Sequence, residues 1–153
     1  MAKMRIASES DKIKQLVLRN VEAVNNHDLE AMAETAVTDL EVVGPDGSYK
    51  GRDRFLAELG TLVKAFPDYR FVVDDLIVEG NKVAYVARLE GTHLGPYQTA
   101  DGRTVPPTGK RVALQMVNVR HVRGGKIVKL VNSWDRLSLL AQLGLLPNPT
   151  AVG

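Results

Sequence analysis

Three observations predict an α+β fold: a cone-shaped, curved antiparallel or mixed sheet with three N-terminal helices packed on its concave face and a short C-terminal helix. Apolar residues at three- and four-residue steps dominate the part of the chain before Pro67. After Pro67 the pattern changes to long alternating runs. Glycine-containing turns at Gly80-Asn81 and Gly124-Gly125 fold those runs into a meander. A bent sheet with helices across its concave side encloses a cavity, the natural place for a ligand. At 153 residues the chain is expected to form a single domain over 1–153, large enough to bury a core.

The elements follow in order. Ile13, Leu16, Val17, Val21 and Val24 form one helical stripe, with Ser8 or Ser10 as cap and Asn25-Asn26 at the end. Asp28 caps a shorter helix carrying Leu29, Met32 and Ala33. A strand over Leu40–Val43 stops at the turn-forming run Gly44-Pro45-Asp46-Gly47. A third helix spans about Arg52–Lys64 with Phe55, Leu56, Leu59, Leu62 and Val63 inward, and Pro67 ends it. Tyr69 to Val78 reads as a strand and Val83 to His93 returns antiparallel. A long connection, Leu94–Gly109, leads to a strand over Arg111–Val122, and Ile127–Trp134 pairs back on it. Leu137–Leu146 closes the chain as a Leu-rich helix, stopped by Gly144 and Pro147.

Composition narrows the chemistry. Lys+Arg number 20 against 18 Asp+Glu, a net charge of +2 with no basic run, so nucleic acid is not an expected partner. The chain has no cysteine, which excludes disulfides, thiolate nucleophiles and Cys-ligated zinc or iron–sulfur centres. No apolar stretch approaches the ~20 residues of a membrane span, and charges occupy the N-terminus where a signal peptide needs an apolar block. A soluble, cytoplasmic protein with no membrane partner is expected. Neither a phosphate-binding glycine loop nor a G-x-S-x-G nucleophile turn occurs. The three histidines, His27, His93 and His121, form no metal-type pair, so no metal and no cofactor are expected. What remains is acid–base chemistry by carboxylate and imidazole, or binding alone.

The Gly124-Gly125 hairpin orders the candidates. A two-residue turn pairs Arg123 with Lys126 and puts His121 and Asp135 on opposite faces. A three-residue loop with Gly125 left-handed pairs Val122 with Lys126 and sets Asp135 opposite Ala113, on the face of Gln115 and His121. The second register is favoured because glycine suits that bulge position. His121 then lies roughly 26 Å from Asp135, at about 3.3 Å per residue. His93, at the end of the neighbouring strand, is the histidine that converges with Asp135 beside the long loop. The plainer readings are a hydrogen-bonded His93, a helix-capping Asp135, a surface-loop His27 and a packing Trp134. Asn118, Lys129 and Asn132 are polar residues among apolar neighbours, facing either a cavity or a second subunit.

The ordered segments "VEAVNNHDLEAM", "GRDRFLAELGTLVKAFPDYRF", "GTHLGPY", "PPTGKRV", "GGKIVKLVNSWD" and "LLAQLGLLP" resemble the SnoaL-like polyketide cyclase family, within the nuclear-transport-factor-2-like fold class. The resemblance runs from about Val21 to Pro147. It implies a conical α+β barrel, a homodimer, and ring closure of a polyketide ester by intramolecular aldol condensation without metal or cofactor. Asp135 in "NSWD" matches the general acid/base and His93 in "GTH" matches a common histidine. Gln115, Trp134, Asn132 and Tyr97 are then expected to contact a small hydrophobic or polycyclic aromatic ligand. "KLVN" at Lys129–Asn132 departs from a stretch that often carries His-Trp-Asp or Glu-Trp. Related chemistries fit less well. An isomerase of the same fold class would carry a carboxylate where Gly44 stands, and an epoxide hydrolase needs an Asp–Arg–Asp set that Asp135 with Arg88 or Arg120 only partly imitates. A non-catalytic ligand-binding module is the alternative of a different class.

Overall fold

Ser8 opens the first helix by accepting a hydrogen bond from the Asp11 N–H, while the Asp11 carboxylate accepts from the Ser8 N–H. This start belongs to a computed structural model that describes residues 7–99 and 101–146. Helix α1 (Glu9–Asn25) buries Ile13, Leu16, Val17 and Val21. Its last residue is clamped to the sheet: Asn25 Nδ2 donates to the Phe71 carbonyl at 2.9 Å, and the Phe71 N–H donates back to Oδ1 at 2.7 Å. His27, at a positive φ of 55°, is not a free surface residue; its ring stacks on Tyr69 at 4.4 Å. Helix α2 (Leu29–Glu34) is capped by Asp28, and α3 (Arg52–Ala65) stops one residue before Phe66-Pro67.

The strands are β1 (Ala36–Gly44), β2 (Gly47–Lys50), β3 (Arg70–Glu79), β4 (Lys82–Thr92), β7 (Arg111–Arg123) and β8 (Lys126–Trp134), in the order β2-β1-β8-β7-β4-β3. Only the β1–β8 pair is parallel, so the sheet is mixed. The β1 strand is longer than its sequence pattern indicates, and the turn after it leads into a further edge strand, β2. The long connection holds a small hairpin, β5 (Tyr97–Gln98) and β6 (Thr104–Val105). Its start is pressed against the end of α3: a Cβ on Gly95 would stand 1.9 Å from the Lys64 carbonyl oxygen, so only glycine fits there.

The β7–β8 hairpin differs from the favoured register. Gly124 and Gly125 both take positive φ, 57° and 74°, and form a two-residue turn that pairs Arg123 with Lys126. Val128 is then inserted as a bulge, because Ile127 faces Val122 whereas Lys129 faces His121. Beyond the bulge Asn132 lies opposite Asn118 and Trp134 opposite Met116. A second bulge at Asp74 interrupts β3, and both bend the sheet around the helices.

Alternation on β7 is strict. Val112, Leu114, Met116, Asn118, Arg120 and Val122 are all buried on the concave face, where the helices pack. Helix α4 (Arg136–Gln142) is shorter than expected, with Leu143 as its C-cap and Gly144 at positive φ just beyond; Pro147 lies outside the described residues. It seals one end of the cone with Leu139 and Leu143. Gln142 extends the ladder where β8 has ended, exchanging two hydrogen bonds with the Ala113 backbone. Among the described residues no helix is long and apolar enough to cross a membrane.

Candidate functional site

The concave face and the helices enclose a cavity of about 620 Å³. Val21 and Val24 of α1, Leu59 and Leu62 of α3, and Leu114 and Met116 of β7 make its walls apolar. Polar side chains are concentrated on the sheet. Strand pairing places Tyr85, Asn118 and Asn132 in one cross-strand row, with Arg120 two residues along β7 from Asn118. All four line the cavity.

Arg120 is the unusual member. It is 6% exposed, and Nη1 donates to Asn132 Oδ1 at 2.8 Å. A weaker bond of 3.4 Å reaches the Val119 carbonyl, and the guanidinium carbon lies 5.4 Å from the Tyr85 ring centroid. Its Nε is buried without a hydrogen-bond partner. Among the described residues no carboxylate pairs with it. Guanidinium does not give up its proton in a protein, so a permanent positive charge faces an apolar chamber. Burial pushes the Tyr85 hydroxyl up, with Arg120 pulling the other way, so it is a neutral donor.

The carboxylates of the lining, Asp46 and Glu58, belong to exposed residues that are already engaged. Asp46 forms an ion pair with Arg136, joining the β1–β2 turn to α4. Glu58 accepts from the Tyr49 hydroxyl at 2.6 Å and lies 3.5 Å from Arg54. Desolvation and this carboxylate keep the Tyr49 hydroxyl well above its ordinary range. No cluster of three or more His, Asp or Glu suited to a metal occurs among the described residues.

The sequence-predicted residues are divided by this geometry. Asn132, Trp134 and Tyr97 line the cavity. Asp135 does not: it is exposed and caps α4, its Oδ1 accepting from the Ser138 N–H at 3.2 Å. Gln115 is exposed on the convex face, because β7 turns its odd-numbered residues outward. His93 is fully buried behind the lining, against Phe66 and Tyr97. Its Nδ1 accepts the Thr108 N–H at 3.2 Å and its Nε2 has no partner. Desolvation holds the ring below its ordinary pKa, so His93 is a neutral anchor of the 94–109 loop. Among the described residues no hydrogen bond joins His93 to Asp135, and the convergence expected of them is not formed. Lys129 points away from the cavity and lies 3.7 Å from Glu41.

From the sequence Arg120 entered only as a partial match to an Asp–Arg–Asp set, and Tyr85 was not singled out. The signal that carries Arg120 is the run Val112, Leu114, Met116, Asn118, Arg120, Val122, in which an apolar inward face is interrupted at two consecutive inward positions.

A family model described as SnoaL-like polyketide cyclase matches residues 14–143. Among solved structures, the chain is similar to AclR from Streptomyces galilaeus, a proposed hydroxylase, at 27% identity and TM-score 0.81, covering 94% of this chain and 88% of that one. It is similar to IdmH from Streptomyces antibioticus, a proposed polyketide cyclase, at 28% identity and TM-score 0.74, covering 86% and 98%. A SnoaL-like protein from Jannaschia shares the fold at 22% identity and TM-score 0.80, covering 94% of this chain and 99% of that one. No curated protein matches the chain.

Proposed function

The chain belongs to the SnoaL-like polyketide cyclase family, and we propose that it binds a flat, enolisable, polyoxygenated ligand in its cone and closes a ring on it by a cofactor-free aldol step. The observation that carries this reading is the buried, carboxylate-free Arg120 set in a polar row inside an apolar chamber. Removing an α-proton creates an enolate, and addition of its carbon to a second carbonyl creates an alkoxide. Both charges develop on oxygen, and a fixed guanidinium in a low-dielectric site stabilises them without reorganising. Asn118 and the Tyr85 hydroxyl supply further donors in the same row. The apolar walls hold the chain folded so that its ends meet. The carboxylates of the lining, Asp46 and Glu58, are the bases that can take the α-proton, directly or through water, and return one to the alkoxide, so the protons balance. Asp135 has no part in this scheme.

Turnover of an anthracycline-type methyl ester precursor tests it. Arg120→Gln should lose roughly 10²–10³ in rate, whereas Asp135→Asn should match wild type. Equal rates for Arg120→Gln and wild type would sink the reading. A non-catalytic ligand carrier is favoured by one observation, the lack of any carboxylate among the deep polar groups. Tight binding of the precursor with no turnover would establish that alternative.

The same reading includes a cytoplasmic homodimer. The convex face supports the dimer with an apolar row running across four strands, Ile77, Ala84, Val119 and Val131. In the neighbouring row Val117 is 51% exposed, beside Val86. Val117→Asp should turn a dimer into a monomer in light scattering.

A further inference from the structure

We propose that the cone takes its ligand as a preformed monoanion, a planar oxyanion seated on Arg120, and discriminates against the neutral, O-alkylated form of the same molecule. The inference rests on the ligand site proposed above and adds the charge state of what fills it. Its basis is an imbalance of charge. Arg120 is nearly inaccessible, donates to Asn132 and to the Tyr85 hydroxyl, neither of them charged, and leaves Nε without an acceptor. A guanidinium presents five N–H donors, and a delocalised oxyanion accepts two of them in parallel.

The groups around Arg120 supply no opposite charge. Tyr85 faces it from β4 as a neutral ring and hydroxyl, and Asn132 faces it from β8 as a neutral amide. The charged residues that the remaining elements contribute to the lining are Arg54 and Glu58 of α3, Asp46 of the β1–β2 turn and Arg136 of α4. Each acid there already has a basic partner. A neutral polycyclic molecule that fills the chamber strips solvent from the guanidinium and returns no charge. An anion of the same shape removes that penalty. A site built around an unpaired polar group rejects the analogue that cannot pair with it.

Two kinds of ligand carry such a group, a ring-bound carboxylate and an ionised hydroxyl beside a ring carbonyl. Two probe pairs separate them: anthracenecarboxylate with its methyl ester, and a hydroxyanthraquinone with its methyl ether. Trp134 is the single tryptophan and lines the cavity, so its fluorescence reports occupancy of the site. At least one anion should bind about tenfold or more tightly than its O-methylated twin. The hydroxyanthraquinone, if it is the preferred class, should change colour on the protein at a lower pH than in water. Arg120→Gln should abolish the preference, weakening the anions and tightening the neutral probes, because the desolvation penalty leaves with the charge. Asn132→Asp, which puts a carboxylate where Arg120 already donates a 2.8 Å bond, should abolish it equally. If wild type binds both O-methylated probes as tightly as the anions, the inference fails and the cone remains a ligand site. If none of the four quenches Trp134, the ligand-site reading fails with it.

Discussion

Two arginines on adjacent strands of one sheet meet opposite environments. Arg88 lies on the convex face of β4, its Nε 2.8 Å from Asp74 and its Nη1 2.7 Å from Glu90. Arg120 lies on the concave face of β7 with no carboxylate. The exposed charge, which solvent already stabilises, has two acidic partners; the buried charge, which needs a partner most, has none. Partners on a wet face cost little to supply and contribute little. A lone charge in a dry chamber is expensive to keep, so its presence marks the face where an oxyanion completes the structure.

Replacing Arg120 is the largest test of that contrast. Beyond the loss of turnover expected of Arg120→Gln, Arg120→Met should raise stability by about 1 kcal/mol or more in urea denaturation, because a charge without a partner gives way to an apolar side chain of similar length. A marked loss of stability would make Arg120 a structural residue and dissolve the contrast.

His93 sharpens it, since an imidazole can shed the charge that a guanidinium must keep. Its folded-state pKa lies below the ordinary value of 6.5 because burial penalises the cation. The unfolded chain therefore binds the proton more readily over that interval, and stability is full above the ordinary value and falls as pH drops through the lowered one. His93→Asn should cost about 2 kcal/mol near neutrality by disturbing the Thr108 bond and the packing on Phe66. Between about pH 7 and about pH 5 its stability should fall less than that of wild type. The comparison must be made as a difference, because His121 is also held low, by desolvation and by Lys82 and Lys129. An identical acid slope in the two proteins would show that His93 is not buried neutral.

The architecture was legible because it rests on periodicity. The helical stripe of α1, the alternation of β7 and the Gly-Asn turn state their structure locally, whereas Gly-Gly marks where the chain reverses but not the two-residue form of the turn. The site was less legible because it depends on one inserted residue. Val128 shifts the pairing after the turn, and that shift sets Asn132 opposite Asn118 and within reach of Arg120. No local pattern announces a bulge there. Asp135 drew attention as the carboxylate that ends a family-like segment, yet an aspartate immediately before a helix is also its commonest kind of cap. The departure at "KLVN" was visible as a missing acid; that its asparagine serves a buried arginine required the paired strand.

Asp135→Ala removes the cap bond to the Ser138 N–H and should lower stability by about 1 kcal/mol, read as a small drop in melting temperature, with turnover unchanged. Lost turnover at full occupancy of the fold would return the acid/base role to Asp135.

The smallest effect belongs to Arg88. Its partners Asp74 and Glu90 lie on a solvated face, where each charge is satisfied by water once the arginine is gone. Arg88→Ala should leave melting temperature, ligand affinity and turnover at wild-type values. One signal should move. Asp74 is held below the ordinary carboxylate value chiefly by its hydrogen bond from Arg88, so its carboxyl resonance should titrate at higher pH in the variant. An Arg88→Ala protein that lost ligand binding as Arg120→Gln does would mean that the convex face feeds the site, and the division between the two faces of the sheet would no longer separate solvation from function.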